Sequence, residues 1–263
     1  MPTFSDKAQP QYLRDYLAIA AASPDIARVR ATALDLWELG TGELRLLDAG
    51  SGNGEAAREL AALLPGAEVT AVDFSADAVA EATRGHDGSR VKYEVGDVCD
   101  LPYENGQFDG VRSERVLQHL TDPDRAVAEM TRVLRPGGRL CLIDTDFESL
   151  LVDGSPAGFS DVVREAIKAV SALRAAEAMS SGRTLRRRMV RAGLTDLRAE
   201  PITVVHTDVA AASRLVPLQR TSAMAGALGE RLDALFEVVE QAAADGTFLL
   251  VLTMWAVAGS KPR

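Results

Sequence analysis

The chain has two cysteines, Cys99 and Cys141, in 263 residues. That excludes a disulfide scaffold and a four-thiolate zinc site. Histidine is nearly as scarce, and His86, His119 and His206 stand at no metal-ligand spacing, so no metal is expected. Lysine occurs only at positions 7, 92, 168 and 261, a bias without mechanistic content. Positive charge is in deficit, with 29 Lys and Arg against 38 Asp and Glu and a net charge of −9. A general nucleic-acid binder needs a basic field to neutralise phosphates, so that class is disfavoured. Arg183, Arg186, Arg187, Arg188 and Arg191 resemble a basic patch, but on a helix they point in different directions and read as a solvated face. No run of eighteen apolar residues is present, which excludes a membrane-spanning helix. The opening MPTFSDKAQPQY lacks a charged segment followed by an apolar run, so no signal peptide is expected and a cytoplasmic location is predicted.

What is present is an ordinary globular composition, 47% hydrophobic and 25% charged, in a chain long enough to bury a sizeable core. Apolar spacing predicts a helix over residues 10–22. A second, entered through Ser23-Pro24, runs to about Leu39. Strands over 44–49, 68–72, 91–95, 108–112 and 139–144 then alternate with helices over 54–64, 76–84 and 123–134. Short, near-continuous apolar runs of this kind imply a parallel sheet covered on both faces, and right-handed crossovers make it an open doubly wound α/β sheet. After Asp146 the pattern changes. Helices are expected over 158–180, 183–192 and 208–245, the last with a break near 226–229, and strands over 197–207 and 247–258. Those two strands complete the same sheet, and the helices at 158–180 and 208–225 are read as lids above its carboxyl edge. A single domain spanning 1–263 is predicted. Its parts are N-terminal helices (1–40), a ligand-binding core (41–146), lid helices with the sixth strand (147–225), and the last helix and strand (226–263).

Ligands of such sheets bind outside the carboxyl ends of the strands, so the turns there carry the chemistry. The first is LLDAGSGNGE, a strand, a glycine turn and a helix start. Its glycines follow G-x-G-x-G rather than the dinucleotide spacing, and Asp48 precedes them by two residues. A carboxylate there repels a pyrophosphate and attracts an ammonium, which argues against a nicotinamide oxidoreductase. Asp73, at the end of the second strand, is placed to accept ribose hydroxyls. Asp97 with Val98 offers a carboxylate and an apolar contact to an adenine. The fourth turn is RSERVLQHL.

LLDAGSGNG, VDFS, GDVCDLPYENGQFDGV, QHL and RVLRPGGRL, in that order, resemble class I S-adenosylmethionine-dependent methyltransferases of the ubiquinone/menaquinone C-methylase-like group. The resemblance is strong over 24–145 and continues weakly through RRRMVRAGLTDLRAEP. It implies a Rossmann-like seven-stranded sheet of order 3-2-1-4-5-7-6 with helical lid insertions. It implies S-adenosyl-L-methionine as cofactor and S-adenosyl-L-homocysteine as product. By the same resemblance Asp48, Gly50, Ser51 and Gly52 hold the methionine end, Asp73 the ribose, and Phe74, Asp97 and Val98 the adenine. Arg115 and Val116 lie under the sulfonium, and Arg30 reaches the methionine carboxylate. Ser51 and Asn53 stand where the group more often has Cys and Thr, in a loop whose work is done by backbone.

Methyl transfer needs an in-line nucleophile, a dry site and, for a protonated nucleophile, a base. His119, at the mouth of the fourth strand, is the expected base, with Asp144 or Asp146 orienting it or taking the proton. Tyr12, Tyr16, Phe147, Phe159 and Met179 are expected against a small, largely apolar or aromatic substrate in specialised-metabolite or quinone-type biosynthesis. The competing reading is a cofactor-binding protein that catalyses a non-methylating cyclisation or rearrangement, or that transfers nothing. Neither nucleic acid nor membrane is expected as a partner, and monomer and homodimer stay open.

Overall fold

The computed structural model describes residues 24–40, 42–85, 88, 90–171, 178–213, 215–216, 226 and 228–263. The helix expected over 10–22 lies outside the described residues, as do Tyr12 and Tyr16. Helix α1 spans Pro24–Trp37, followed by β1 Leu44–Ala49, α2 Glu55–Leu63, β2 Ala67–Asp73, α3 Ala76–Arg84, β3 Val91–Val95 and β4 Phe108–Glu114. A 3-10 turn, Leu117–His119, leads to α4 Pro123–Val133 and β5 Leu134–Asp153. Then come α5 Phe159–Ser171, α6 Ser181–Arg191, β6 Thr195–His206, the single turn α7 Val209–Ala212, α8 Arg231–Ala244 and β7 Leu249–Ser260. The strands form one sheet in the order β3-β2-β1-β4-β5-β7-β6, the order that the resemblance implied. β1 to β5 pair in parallel, and β7 runs antiparallel to both its neighbours.

Side-chain alternation along the strands sends residues to two cores. Leu46, Val69, Ala71, Cys141 and Ile143 face α1, α2, α5 and α8. Leu47, Ala49, Val72, Val111, Leu140 and Leu142 pack with α4 and α6 residues such as Val127, Met130, Leu185 and Met189. Trp37 closes the first core, fully buried, with its indole N–H on the Arg139 carbonyl at 3.0 Å. Local chemistry starts the helices where the sequence predicts. Ser75 caps α3 by accepting Ala78 N–H at 3.2 Å, and Asp122 caps α4 on Arg125 N–H at 3.0 Å with Pro123 in the first turn.

Three expectations change. The strand expected to end at Asp144 runs on to Asp153, because β5 resumes its pairing with β7 at Leu151 after a bulge. Ser149 holds that bulge, donating to the Asp146 carbonyl at 2.6 Å and accepting Thr253 N–H at 2.8 Å. The helix expected over 158–180 is described as α5 only to Ser171. It packs against α8, with Phe159 edge-on to Phe248 at 6.2 Å between ring centroids. α6 begins at Ser181 rather than 183, pressed onto the sheet at Gly182, where a Cβ would lie 2.7 Å from the Asp144 carbonyl oxygen. Of the helix expected over 208–245, α7 and α8 are described, and 217–225 lie outside the described residues.

Candidate active site

The carboxyl ends of β1, β2 and β4 meet around the turn after β1. Gly50 sits at φ +82°, a left-handed conformation that glycine adopts freely. Its N–H and that of Ser51 both donate to the Val72 carbonyl, at 2.8 and 2.9 Å, which closes the turn over β2. A Cβ on Gly50 would stand 2.3 Å from Cγ2 of Val116, so the residue after β4 packs directly on the glycine turn. Asp73 braces the same loop. One carboxylate oxygen accepts Gly52 N–H at 2.8 Å and the other accepts Ser75 N–H at 2.9 Å. Burial raises its carboxyl from the ordinary value, and those two N–H groups oppose the rise. Each oxygen keeps a lone pair for a further donor.

Asp48 is buried at the end of β1, and its Oδ2 has no hydrogen-bond partner. Burial pushes the carboxyl up to about 6, Glu114 and Asp73 adding to this against the pull of Arg112 and Arg30. A buried carboxylate without a partner is costly and is retained where a ligand brings the opposite charge. Ser51 Oγ is likewise buried and unpartnered. These open groups around a glycine turn suit a ligand with an ammonium and hydroxyls. A pyrophosphate would meet Asp48 with like charge.

At the edge of this crevice Phe74 is 55% exposed, an apolar face at the end of β2. Asp97 is exposed, its Oδ1 accepting Cys99 N–H at 2.8 Å. Val98 turns inward and packs with Leu47, Val72 and Leu101, so it supports the crevice from beneath rather than presenting an exposed surface.

Arg30 comes in from α1 and is already held. Its Nε and Nη2 donate to the Glu114 carboxylate at 2.9 and 3.2 Å, and its Nη1 donates to Glu59 at 2.7 Å. Glu114, Arg112 and Glu59 were not singled out from sequence. A signal was present: Arg112 and Glu114 stand two apart in an otherwise buried strand, which puts both charges on one face. Arg115 follows at φ +56°.

Past β4, His119 ends the 3-10 turn, its Nε2 3.1 Å from the Gln118 amide nitrogen. Asp144 is fully buried and accepts Gln118 N–H at 3.0 Å, Ser181 O–H at 2.7 Å and Thr145 N–H at 3.1 Å. Burial still pushes its carboxyl up to about 6. Asp144 thus ties α6 to the turn that carries His119, through Gln118 rather than by a bond to the imidazole. Asp146, one pleat further on, accepts Arg183 Nε at 2.6 Å through Oδ2, and its Oδ1 is unpartnered. Phe147, Phe159 and Met179 pack in the first core, Phe159 with 1% of its surface exposed. Among the described residues no cluster of His, Cys, Asp or Glu could hold a metal ion.

Residues 47–142, from β1 to the middle of β5, match the methyltransferase domain family. Over this segment the chain is similar to class I S-adenosylmethionine-dependent methyltransferases, quinone C-methyltransferases among them. It is 36% identical over 119 residues to a demethylmenaquinone methyltransferase of Thermus thermophilus, covering 44% of this chain and 54% of that one. It is 38% identical over 136 residues to the 27-O-demethylrifamycin SV methyltransferase of Amycolatopsis mediterranei, covering 49% of this chain and 48% of that one. The YcgJ protein of Bacillus subtilis shares the fold, with a TM-score of 0.63 at 18% identity over 90% of this chain and 99% of that one. The chain spans between 25% and 60% of the length of the first curated relatives it matches. Helix α1 before the matched segment, and the elements from the second half of β5 to β7 after it, lie outside the family match.

Proposed function

We propose that this methyltransferase binds S-adenosyl-L-methionine in the crevice over β1, β2 and β4 and transfers its methyl group to a small, largely apolar or aromatic metabolite of the quinone or specialised-metabolite kind. The observation that carries the reading is the buried, unpartnered oxygen of Asp48 beside a glycine turn braced by Asp73. When bound, the cofactor supplies an electrophilic methyl group on a cationic sulfur. Asp48 receives the ammonium, while Gly50, Ser51 and Gly52 admit the methionine chain close to backbone. Asp73 takes the ribose hydroxyls on its remaining lone pairs. Phe74 and Asp97 flank the adenine, with Val98 beneath. Val116 and Arg115 form the floor between the glycine turn and the acceptor, with Arg30 behind them.

His119 serves as the base for an acceptor that carries a proton, and such a group contributes on the order of 10²–10⁴-fold. Asp144 positions it through the turn, and Asp146 with Arg183 borders the acceptor side. Phe147 and Met179 shape the apolar wall from behind. The Phe159 ring is committed to the core and is not assigned to substrate. The acidic balance, with net charge −9, favours a small acceptor over a nucleic acid.

The test is calorimetry with S-adenosylhomocysteine, followed by a panel of aromatic and quinone-like acceptors assayed for methyl incorporation from labelled cofactor. Binding with release of S-adenosylhomocysteine supports the proposal. An acceptor converted with the cofactor unchanged would identify a non-methylating reaction instead, and binding of a nicotinamide dinucleotide in the crevice would overturn the assignment.

A further inference from the structure

Parallel pairing of β1 with β4 puts Asp48 directly beside Arg112. Buried neighbours of opposite charge ordinarily form an ion pair. These two do not. Arg112 instead reaches along its own strand and donates through Nη2 to Glu114, leaving its Nε and the Asp48 Oδ2 both buried without partners. Glu114 therefore lies between two arginines, Arg112 within the sheet and Arg30 from α1. Arg30 in turn ties to Glu59 on α2, the helix that the glycine turn opens into. The charges alternate: Asp48, Arg112, Glu114, Arg30, Glu59.

We infer that Glu114 is a positioning residue for the cofactor: it holds Arg112 away from Asp48 and so keeps one Asp48 oxygen open for the ammonium. The inference rests on the cofactor reading above. Without the Glu114 charge, Arg112 has one buried carboxylate left within reach, and closing onto it would occupy the atom that the ammonium needs. The groups that face Asp48 are Arg112 and Glu114 of β4, Arg30 of α1 and Asp73 of β2. Around them stand Arg115 beside Glu114, Glu55 and Glu59 beside Arg30, and the Cys141 thiol beside Arg112. Burial pushes the Glu114 carboxyl up, but Arg112, Arg30 and Arg115 outweigh it and hold it down to about 2, so it stays charged wherever the protein is folded. Its negative charge is also one of the causes that raise Asp48.

The experiment compares wild type, Glu114→Gln and the double variant Glu114→Gln/Arg112→Gln, with two ligands, by calorimetry between pH 5 and 8. S-adenosylhomocysteine carries the amino-acid tail and 5′-methylthioadenosine lacks it. Glu114→Gln should weaken S-adenosylhomocysteine by about 10- to 150-fold, as for a hydrogen bond to a charged group. Methylthioadenosine affinity should stay within about twofold, as for distant, independent sites. The acid limb of S-adenosylhomocysteine binding should move to lower pH, because Asp48 loses a like charge and gains Arg112. The double variant has no arginine to swing across and should regain affinity. Equal weakening of both ligands would mean that the ladder only holds the fold, and an unmoved limb or unchanged affinity would overturn the inference as well. If Glu114→Gln fails to fold, Glu114→Asp takes its place: its shorter side chain draws back from Arg112 and should again weaken only the tailed ligand. Failure of wild type to bind either ligand would remove the cofactor reading itself, a result distinct from selective changes in the variants.

Discussion

Replacing Gly50 by alanine adds one carbon where the structure leaves no room for it. Two costs arise from separate causes. The backbone at φ +82° is left-handed, which costs an L-residue about 1–2 kcal/mol. The new Cβ would also stand 2.3 Å from Cγ2 of Val116 and 3.0 Å from its Cγ1, an overpacking that costs about 1–3 kcal/mol. Gly50→Ala should therefore destabilise the protein by about 2–5 kcal/mol, lowering Tm by several degrees. It should also weaken cofactor binding, since the turn must shift. The structure shows that the first atoms met belong to the protein. The double variant Gly50→Ala/Val116→Ala separates the two costs. Trimming Val116 removes the two closest atoms, leaving its Cβ at 3.2 Å, and keeps the strained φ, so chemical denaturation should reveal a favourable coupling of about 1–3 kcal/mol between the substitutions. Additivity within about 0.5 kcal/mol would refute the packing argument and leave backbone strain as the sole cause.

Acid should act in opposite directions on stability and on ligand binding. Burial raises Asp48 and Asp144 to about 6 in the fold, against about 4 in the unfolded chain. Between those values the native state binds more protons, so stability falls as pH rises through that window, and acidifying from pH 7 to about 5 should raise the Tm of the ligand-free protein. Glu114, held down to about 2, contributes stability above its unfolded value near 4 that is lost as pH falls through its folded value. Cofactor affinity should decline over the same pH 7 to 5 interval as Asp48 takes up its proton, and a parallel trend in both measurements would contradict the assignment of Asp48. His119→Ala should lower turnover by about 10²–10⁴-fold with cofactor affinity unchanged by calorimetry, and a wild-type rate would remove it as base. Phe159→Ala should cost about 3–5 kcal/mol in denaturant unfolding with little change in KM. A raised KM at unaltered stability would return this ring to the substrate wall.

The order of strands and helices from β1 to β4, the glycine turn and the acids at the strand ends were all legible in the sequence, because each is set by short-range pattern: apolar runs, caps, and residues adjacent to a turn. Asp48 and Asp73 are placed by the strand they terminate, so their position needs no knowledge of the rest of the chain. Which groups meet across strands was not legible. That Glu114 gathers Arg30 from 84 residues away and Arg112 from its own strand depends on where α1 lies over the sheet. That Asp144 serves Ser181 and Gln118 depends on α6 pressing down at Gly182, a contact made between segments 37 residues apart. Likewise β5 runs past Asp146 because β7 is there to pair with it. Sequence determined the elements and the chemistry at their ends, since those are local. Tertiary structure decided which charges are buried together and which oxygen stays open, since a buried charge takes its partner from whatever the packing brings within reach.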